Sequence, residues 1–165
     1  MMDKDLLVNQ LVERVQSSVV VAREARDAAA LEQREGATPA EKREDARAAI
    51  EHGSMARAQD RRRKEAESAL QQIVGFRAPA FGERSPIAVG AVVEIEDEDS
   101  GEGRTFFLAP VGAGATLTGP GGDGVISVVT PASPIGRAVL GKRKGDVVDI
   151  TIDGNDRSWG ITWVC

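Results

Sequence analysis

The sequence predicts an α+β protein: an N-terminal antiparallel helical hairpin of coiled-coil character, then a small antiparallel β-sheet domain with one short helix. Two observations carry this. Residues 1 to about 75 hold a single proline and are rich in alanine, glutamate, arginine and glutamine, which favour helix. Residues from about 87 onward hold most of the glycines and nearly all of the two-residue alternation expected of strands. The composition changes across Phe76-Arg77-Ala78-Pro79-Ala80-Phe81-Gly82-Glu83-Arg84-Ser85-Pro86, whose two prolines and one glycine read as a linker. The expected boundaries are 1–75 for the hairpin, 76–86 for the linker and 87–165 for the sheet domain.

The first helix follows from a seam through Leu7, Leu11, Val15, Ser18, Ala22, Ala25 and Ala29, spaced by threes and fours. A second seam runs through Ala46, Ala49, Gly53, Ala56, Asp60, Arg63, Glu67, Leu70 and Ile73, small at first, charged in its middle and apolar at its end. Between the seams, Gly36 suits a helix C-terminus. Thr38-Pro39-Ala40-Glu41 reads as a helix start, with Thr38 as N-cap and Glu41 as the capping-box acid. So short a break implies an antiparallel pair, and arms of about 30 residues would extend roughly 45 Å. A hairpin of that length has little core of its own.

In the second half, 89–96 and 104–108 alternate as strands around an acidic turn at 97–103. Further strands are expected at 124–129, 146–152 and 159–164, with Asp153-Gly154-Asn155-Asp156 as a hairpin turn. Ser133 caps a short helix that Gly141 ends. Trp159 and Trp163, four apart on one strand, are expected on the same face, in the core. The glycine-rich stretches at 112–114 and 119–124 lack the G-K-[ST] ending of a phosphate loop and read as turns.

Several function classes are disfavoured by composition. A net charge of -5 gives no global field for nucleic acid, and 4% aromatic residues without tyrosine leave little for a base-stacking platform. The sole histidine, His52, has no companion for a zinc site, and the sole cysteine, Cys165, has no partner within the chain. No apolar run spans a membrane and the N-terminus has no secretory pattern, so the cytoplasm is the expected compartment. Arg57, Arg61, Arg62, Arg63 and Lys64 form a basic stretch on the second helix, either a solvated face laced with acids or a patch that meets RNA. Glu41, Glu44 and Asp45 share one face of a first helical turn, where acids also complement the helix dipole by typically ~0.3–1 kcal/mol each.

One run of residues is more specific. Ile126-Ser127-Val128, then Ser133-Pro134-Ile135-Gly136-Arg137-Ala138-Val139-Leu140-Gly141-Lys142, then Gly145-Asp146-Val147-Val148, resembles the C-terminal signature of the GreA/GreB transcript-cleavage factors. The resemblance implies an FKBP-like sheet domain that docks on bacterial RNA polymerase through Ser133, Pro134, Ile135, Arg137 and Leu140. It implies a coiled coil inserted in the polymerase secondary channel, where tip acids help hold a second Mg²⁺ so that the polymerase cleaves its own backtracked RNA. By that resemblance Glu41 and Glu44 are the shared metal ligands, with Asp45 beside them, and Arg57, Arg61 and Arg62 face RNA.

The family's tip motif, D-x-x-E-N-A, aligns with Glu41-Lys42-Arg43-Glu44-Asp45-Ala46, so Glu41 stands for aspartate and Asp45 for asparagine. The aromatic residue usual soon afterwards is replaced by Arg47-Ala48-Ala49-Ile50. The function expected is therefore that of a transcription elongation factor, with a non-catalytic secondary-channel regulator or inhibitor as the alternative. In either case the chain is an accessory factor and no enzyme by itself. The expectation is that it binds no cofactor alone, shares Mg²⁺ only in the polymerase complex, contacts the nascent RNA 3′ end, avoids membranes and is a monomer. Peptidyl-prolyl isomerase activity, suggested by fold alone, lacks the aromatic-walled pocket it would need.

Overall fold

The computed structural model describes residues 2–35, 46–122 and 124–165. Two helices, α1 (Lys4–Glu35) and α2 (Ala46–Ile73), precede six strands and a third helix. The chain divides into two compact units, one comprising Glu13–Gln71 and the other comprising Met1–Val12 with Gln72–Cys165.

Within Glu13–Gln71 both expected seams are present where their side chains are described, with one change, and Ala46 and Ala49 of the second seam lie outside those described side chains. Val15 and Val19 are buried, Ala22, Ala25 and Ala29 are half-buried, and Ser18 is exposed. The seam steps by four from Val15 to Val19, because the valine has the apolar surface to lose and the serine hydroxyl donates to the Arg14 carbonyl instead (3.0 Å). On α2, Gly53, Ala56, Asp60, Arg63, Glu67 and Leu70 are half-buried, as their spacing predicts. The charged middle of that seam is an ion network. Arg23 meets Glu67 at 2.9 Å and Arg26 approaches Asp60 at 3.9 Å, a falling partner number that makes the helices antiparallel. Arg63 bridges Asp60 (2.9 Å) and Glu67 (2.8 Å), and Lys64 adds a contact to Asp60 (3.1 Å).

Arg63 and then Lys64 hold the Asp60 carboxyl below the usual carboxylate range, and Arg23 followed by Arg63 does the same for Glu67. A carboxyl whose folded pKa is depressed stabilises the fold above its unfolded pKa and loses that contribution as pH falls through the folded value. Helicity is therefore expected to hold from neutrality to about pH 4 and to decline below it. Asp60→Asn should flatten that dependence in a far-ultraviolet circular dichroism titration. Equal helicity at neutral and strongly acid pH would contradict the network's role.

In the other unit, β1 (Val92–Asp97), β2 (Gly103–Leu108), β3 (Thr116–Thr118), β4 (Val125–Val129), β5 (Val147–Ile152) and β6 (Asn155–Val164) form one sheet in the order β3-β4-β2-β1-β6-β5. The sheet is mixed, since β2 and β4 run parallel where an all-antiparallel sheet was expected. The cause is β3, three residues between the two glycine-rich stretches, which pairs antiparallel with β4 and reverses the chain before β4 sits beside β2. Residues 89–91 precede β1, leaving the strand at six residues. The β5–β6 hairpin is tighter than expected: Ile152 pairs with Asn155, and Asp153 (φ 53°) and Gly154 (φ 79°) make the two-residue turn.

One sheet face holds the core. Val93, Ile95, Phe106, Leu108, Val148, Ile150, Trp159 and Ile161 pack there with Ile87 and Val139, and helix α3 (Pro134–Val139) lies against it through Ile135 and Ala138. The opposite face is also buried at Val92, Phe107 and Val128. The first turns of α1 reach that side. The Gln10 side-chain amide donates to the Thr118 carbonyl and accepts from the Thr118 N–H, both at 2.9 Å, which satisfies an edge strand that would otherwise be open. Leu11 lies so close to Gly112 that a Cβ there would fall 2.6 Å from its Cδ1.

Lys4 completes the attachment. Its buried ammonium donates to the carbonyls of Pro79 and of Gly90 (3.3 Å) and sits 4.8 Å from the centre of the Phe81 ring. Burial pushes its pKa below the usual lysine range, with Cys165 pulling the other way. The start of α1, the linker and the entry to β1 are thereby tied to one another.

Trp159 and Trp163 do not share a face. Glu94 pairs with Trp163 but Ile95 pairs with Ile161, so Thr162 is an extra residue that shifts the register of β6. Trp159 enters the core, and Trp163 turns to the other side, half-buried.

Candidate functional site

Helix α3 owes its position to two residues. The Ser133 hydroxyl accepts the Gly136 N–H (3.1 Å) as an N-cap, accepts the Thr130 N–H (3.3 Å), and donates to the Thr130 carbonyl (2.7 Å). Gly136 is buried directly over that carbonyl, and a Cβ added to it would lie 1.9 Å from the Thr130 oxygen. Pro134 takes the first helical position, where its missing N–H costs nothing, and Gly141 (φ 76°) ends the segment in the left-handed region.

The residues expected to meet a partner therefore divide in two. Ser133 spends its hydroxyl inside the turn, and Ile135 packs on the core. Pro134, Arg137 and Leu140 are exposed, with Leu140 at 43%. The Arg137 guanidinium donates to the Ala132 carbonyl (2.9 Å), which fixes its direction without neutralising its charge.

The cations that follow α3 are not among the expected site residues. Lys142, Arg143 and Lys144 are exposed, and Arg84 is brought beside them because Gly141 donates to the Ile87 carbonyl and Ile87 to the Lys142 carbonyl, both at 2.8 Å. Arg143 donates from Nε to the Arg84 carbonyl (3.2 Å). None of these four, nor Arg137, forms an ion pair among the described residues. Arg104 and Arg157 at the acidic loops do, with Glu102, Asp153 and Asp97. The charge run Lys142-Arg143-Lys144 was the available signal.

Those acidic loops are internally satisfied. The buried Asp97 carboxylate accepts N–H groups from Ser100 (2.8 Å) and Asp99 (2.9 Å) and the Arg157 guanidinium (3.2 Å). The Ser100 N–H foremost, with Asp99 and Arg157, holds it below the usual carboxylate range. No group of three or more histidine, cysteine, aspartate or glutamate side chains suited to a metal occurs among the described residues.

On α2, Arg57, Arg61 and Arg62 are exposed and have no ion pair among the described residues, whereas Arg63 and Lys64 are taken up by Asp60 and Glu67. The first three are thus uncompensated charges on one helix, while Arg63 belongs to the seam. His52 is exposed. Glu41, Glu44 and Asp45, with Gly36, Thr38 and Pro39 of the expected break, lie outside the described residues. No helix is long and apolar enough to cross a membrane among the described residues.

Residues 83–164 match the family model "Transcription elongation factor, GreA/GreB, C-term". A transcription elongation factor GreA from Alkalilimnicola ehrlichii is 30% identical over 101 residues, which cover 61% of this chain and 59% of that protein. A GreA from Nitratidesulfovibrio vulgaris is 42% identical over 71 residues, 41% of this chain and 36% of its own length. The chain thus spans less than two thirds of either relative. The solved structure of GreA factor homolog 1 (Gfh1) of Thermus thermophilus is similar over 96% of this chain and 92% of its own, with a TM-score of 0.42 and 21% identity.

Proposed function

We propose that this chain, which belongs to the GreA/GreB transcription elongation factor family through residues 83–164, binds bacterial RNA polymerase and stimulates cleavage of backtracked RNA. The observation that carries the reading is the α3 surface. The matched segment contains the Ser133–Gly136 turn, and that turn presents Pro134, Arg137 and Leu140 outward. An apolar residue flanked by a fixed guanidinium is the kind of anchor that protein interfaces concentrate their energy on. In this reading α3 docks the sheet domain on the polymerase, and the helical pair extends into the secondary channel.

Glu41 and Glu44, with Asp45 adjacent, supply carboxylates at the polymerase active centre. Carboxylate oxygens are the hard donors that Mg²⁺ takes, one or two from any one protein, so this donor set fits a metal shared with the polymerase. When bound, such an ion polarises phosphoryl oxygen and stabilises the attacking and leaving oxygens. The chain's own part is to bring the acids there. Arg57, Arg61 and Arg62, uncompensated on α2, suit contact with the phosphates of the displaced RNA 3′ end. The chain is an accessory to the polymerase and performs no reaction alone.

The tip favours one second reading, a secondary-channel regulator that binds without cleaving. Glu41 is a methylene longer than the family's aspartate and Asp45 replaces its asparagine, changes that alter where an oxygen can reach. Adding the purified protein to a backtracked elongation complex separates the two. Shortened RNA supports the cleavage factor, inhibited extension without shortening supports the regulator, and neither effect excludes both.

A further inference from the structure

The face of the sheet opposite the core carries a cavity that the polymerase reading does not use. Trp163, Glu94, Thr105 and Ile126 form a row across β6, β1, β2 and β4, and Asp3 and Leu6 at the start of α1 close one side of it. The space measures about 780 Å³. Trp163 is there only because of the extra residue at Thr162; without that register shift its ring would lie on the core face with Trp159. Bulges of this kind commonly re-aim a side chain at a site.

The lining has one sign of charge. Glu94 and Asp3 contribute carboxylates, and no lysine, arginine or histidine lines the cavity among the described residues. Neither acid forms an ion pair among the described residues: Glu94 accepts only the Thr162 hydroxyl (3.2 Å), and Asp3 accepts the Asp5 N–H (3.1 Å). Lys4, next to Asp3 in sequence, sends its ammonium to the Pro79 and Gly90 carbonyls instead. Leu6 (44% exposed) and Val125 (66% exposed) leave apolar surface at the rim.

From this juxtaposition we infer that the cavity receives an arginine side chain of a protein partner, its guanidinium stacked on Trp163 and paired with Glu94, its flanking apolar residues on Leu6 and Val125. Arginine suits the place because its planar, weakly hydrated cation stacks on an aromatic face and still donates in plane to a carboxylate. The inference concerns a different face from α3 and stands independently of polymerase binding.

The test uses the full-length ¹⁵N-labelled protein with N-acetyl-Leu-Arg-Leu-amide and N-acetyl-Leu-Glu-Leu-amide at millimolar concentration. The arginine peptide is expected to shift the Trp163 indole N–H and the Glu94 and Thr105 amides saturably, about tenfold more tightly than the glutamate peptide. Glu94→Gln, at an exposed position, should weaken the arginine peptide about fivefold, and Trp163→Leu should abolish the response while leaving the spectrum of the core unchanged. Equal shifts with both peptides would mean an apolar surface only, and would overturn the inference. So would shifts scattered away from these residues, or shifts that grow with protein concentration in the absence of peptide, the sign of a second copy on this face.

Discussion

Gly136→Ala is expected to destabilise the sheet domain by about 3 kcal/mol or more, a large fraction of the roughly 5–15 kcal/mol that holds a domain together. The added methyl would stand 1.9 Å from the Thr130 oxygen and 2.9 Å from the Ser133 hydroxyl. Neither can yield cheaply, because the same oxygen accepts the Ser133 hydroxyl and the same hydroxyl caps α3. The comparison that isolates packing is Gly141→Ala. Its φ of 76° strains any side chain, but nothing lies within 4 Å of the new methyl, so about 1–2 kcal/mol of backbone cost is all that is expected. Denaturant unfolding followed by the signal of the buried Trp159 measures both. If Gly136→Ala costs no more than Gly141→Ala, the close approach at Thr130 does not hold α3 in place.

The second large effect is at the tip. Replacing Glu41 and Glu44 together with alanine is expected to reduce RNA shortening in a backtracked complex by about a hundredfold or more, the loss of several kcal/mol of charge stabilisation. Binding should persist, because docking is assigned to α3. The conservative change Glu41→Asp is expected to raise cleavage above the wild type by restoring the shorter arm of the family motif. A double substitution that cleaves as well as the wild type would remove these acids from the mechanism.

Much of the molecule was legible in the sequence where a local rule and its tertiary setting agree. The α3 segment is the clearest case, with serine at the cap, proline at the first helical position and glycine after the end, all reading the same way in chain and structure. The helical seams were legible for the same reason. Misreadings arise where a long-range contact decides. Ser18 lost its seam position to Val19 because burial favours the larger apolar neighbour. Strand β3 has only three residues among glycines, too few for alternation to show, and its edge is satisfied by Gln10, more than a hundred positions away in the chain. Without β3, alternation alone implies an antiparallel neighbour where β2 and β4 run parallel.

Trp163 illustrates the same limit at a candidate site. Strict alternation places it with Trp159, and one extra residue at Thr162 inverts that assignment. No pattern in 159–164 marks the bulge, because the register is set by pairing with β1, over sixty residues earlier. The α3 segment was legible as a motif but not as a division of labour. Only the hydrogen bonds show that Ser133 serves the fold while the Arg137 guanidinium, bonded to the Ala132 carbonyl, forms no ion pair among the described residues.

The central claim is that the exposed side of α3 holds this chain on RNA polymerase, and a direct titration of core polymerase with fluorescently labelled protein tests it. The wild type is expected to bind saturably, and Leu140→Asp combined with Arg137→Glu to weaken binding about thirtyfold or more, the loss of a buried anchor and its fixed cation, without a change in melting temperature. A wild type that fails to bind, or a variant that binds equally well, would contradict the account.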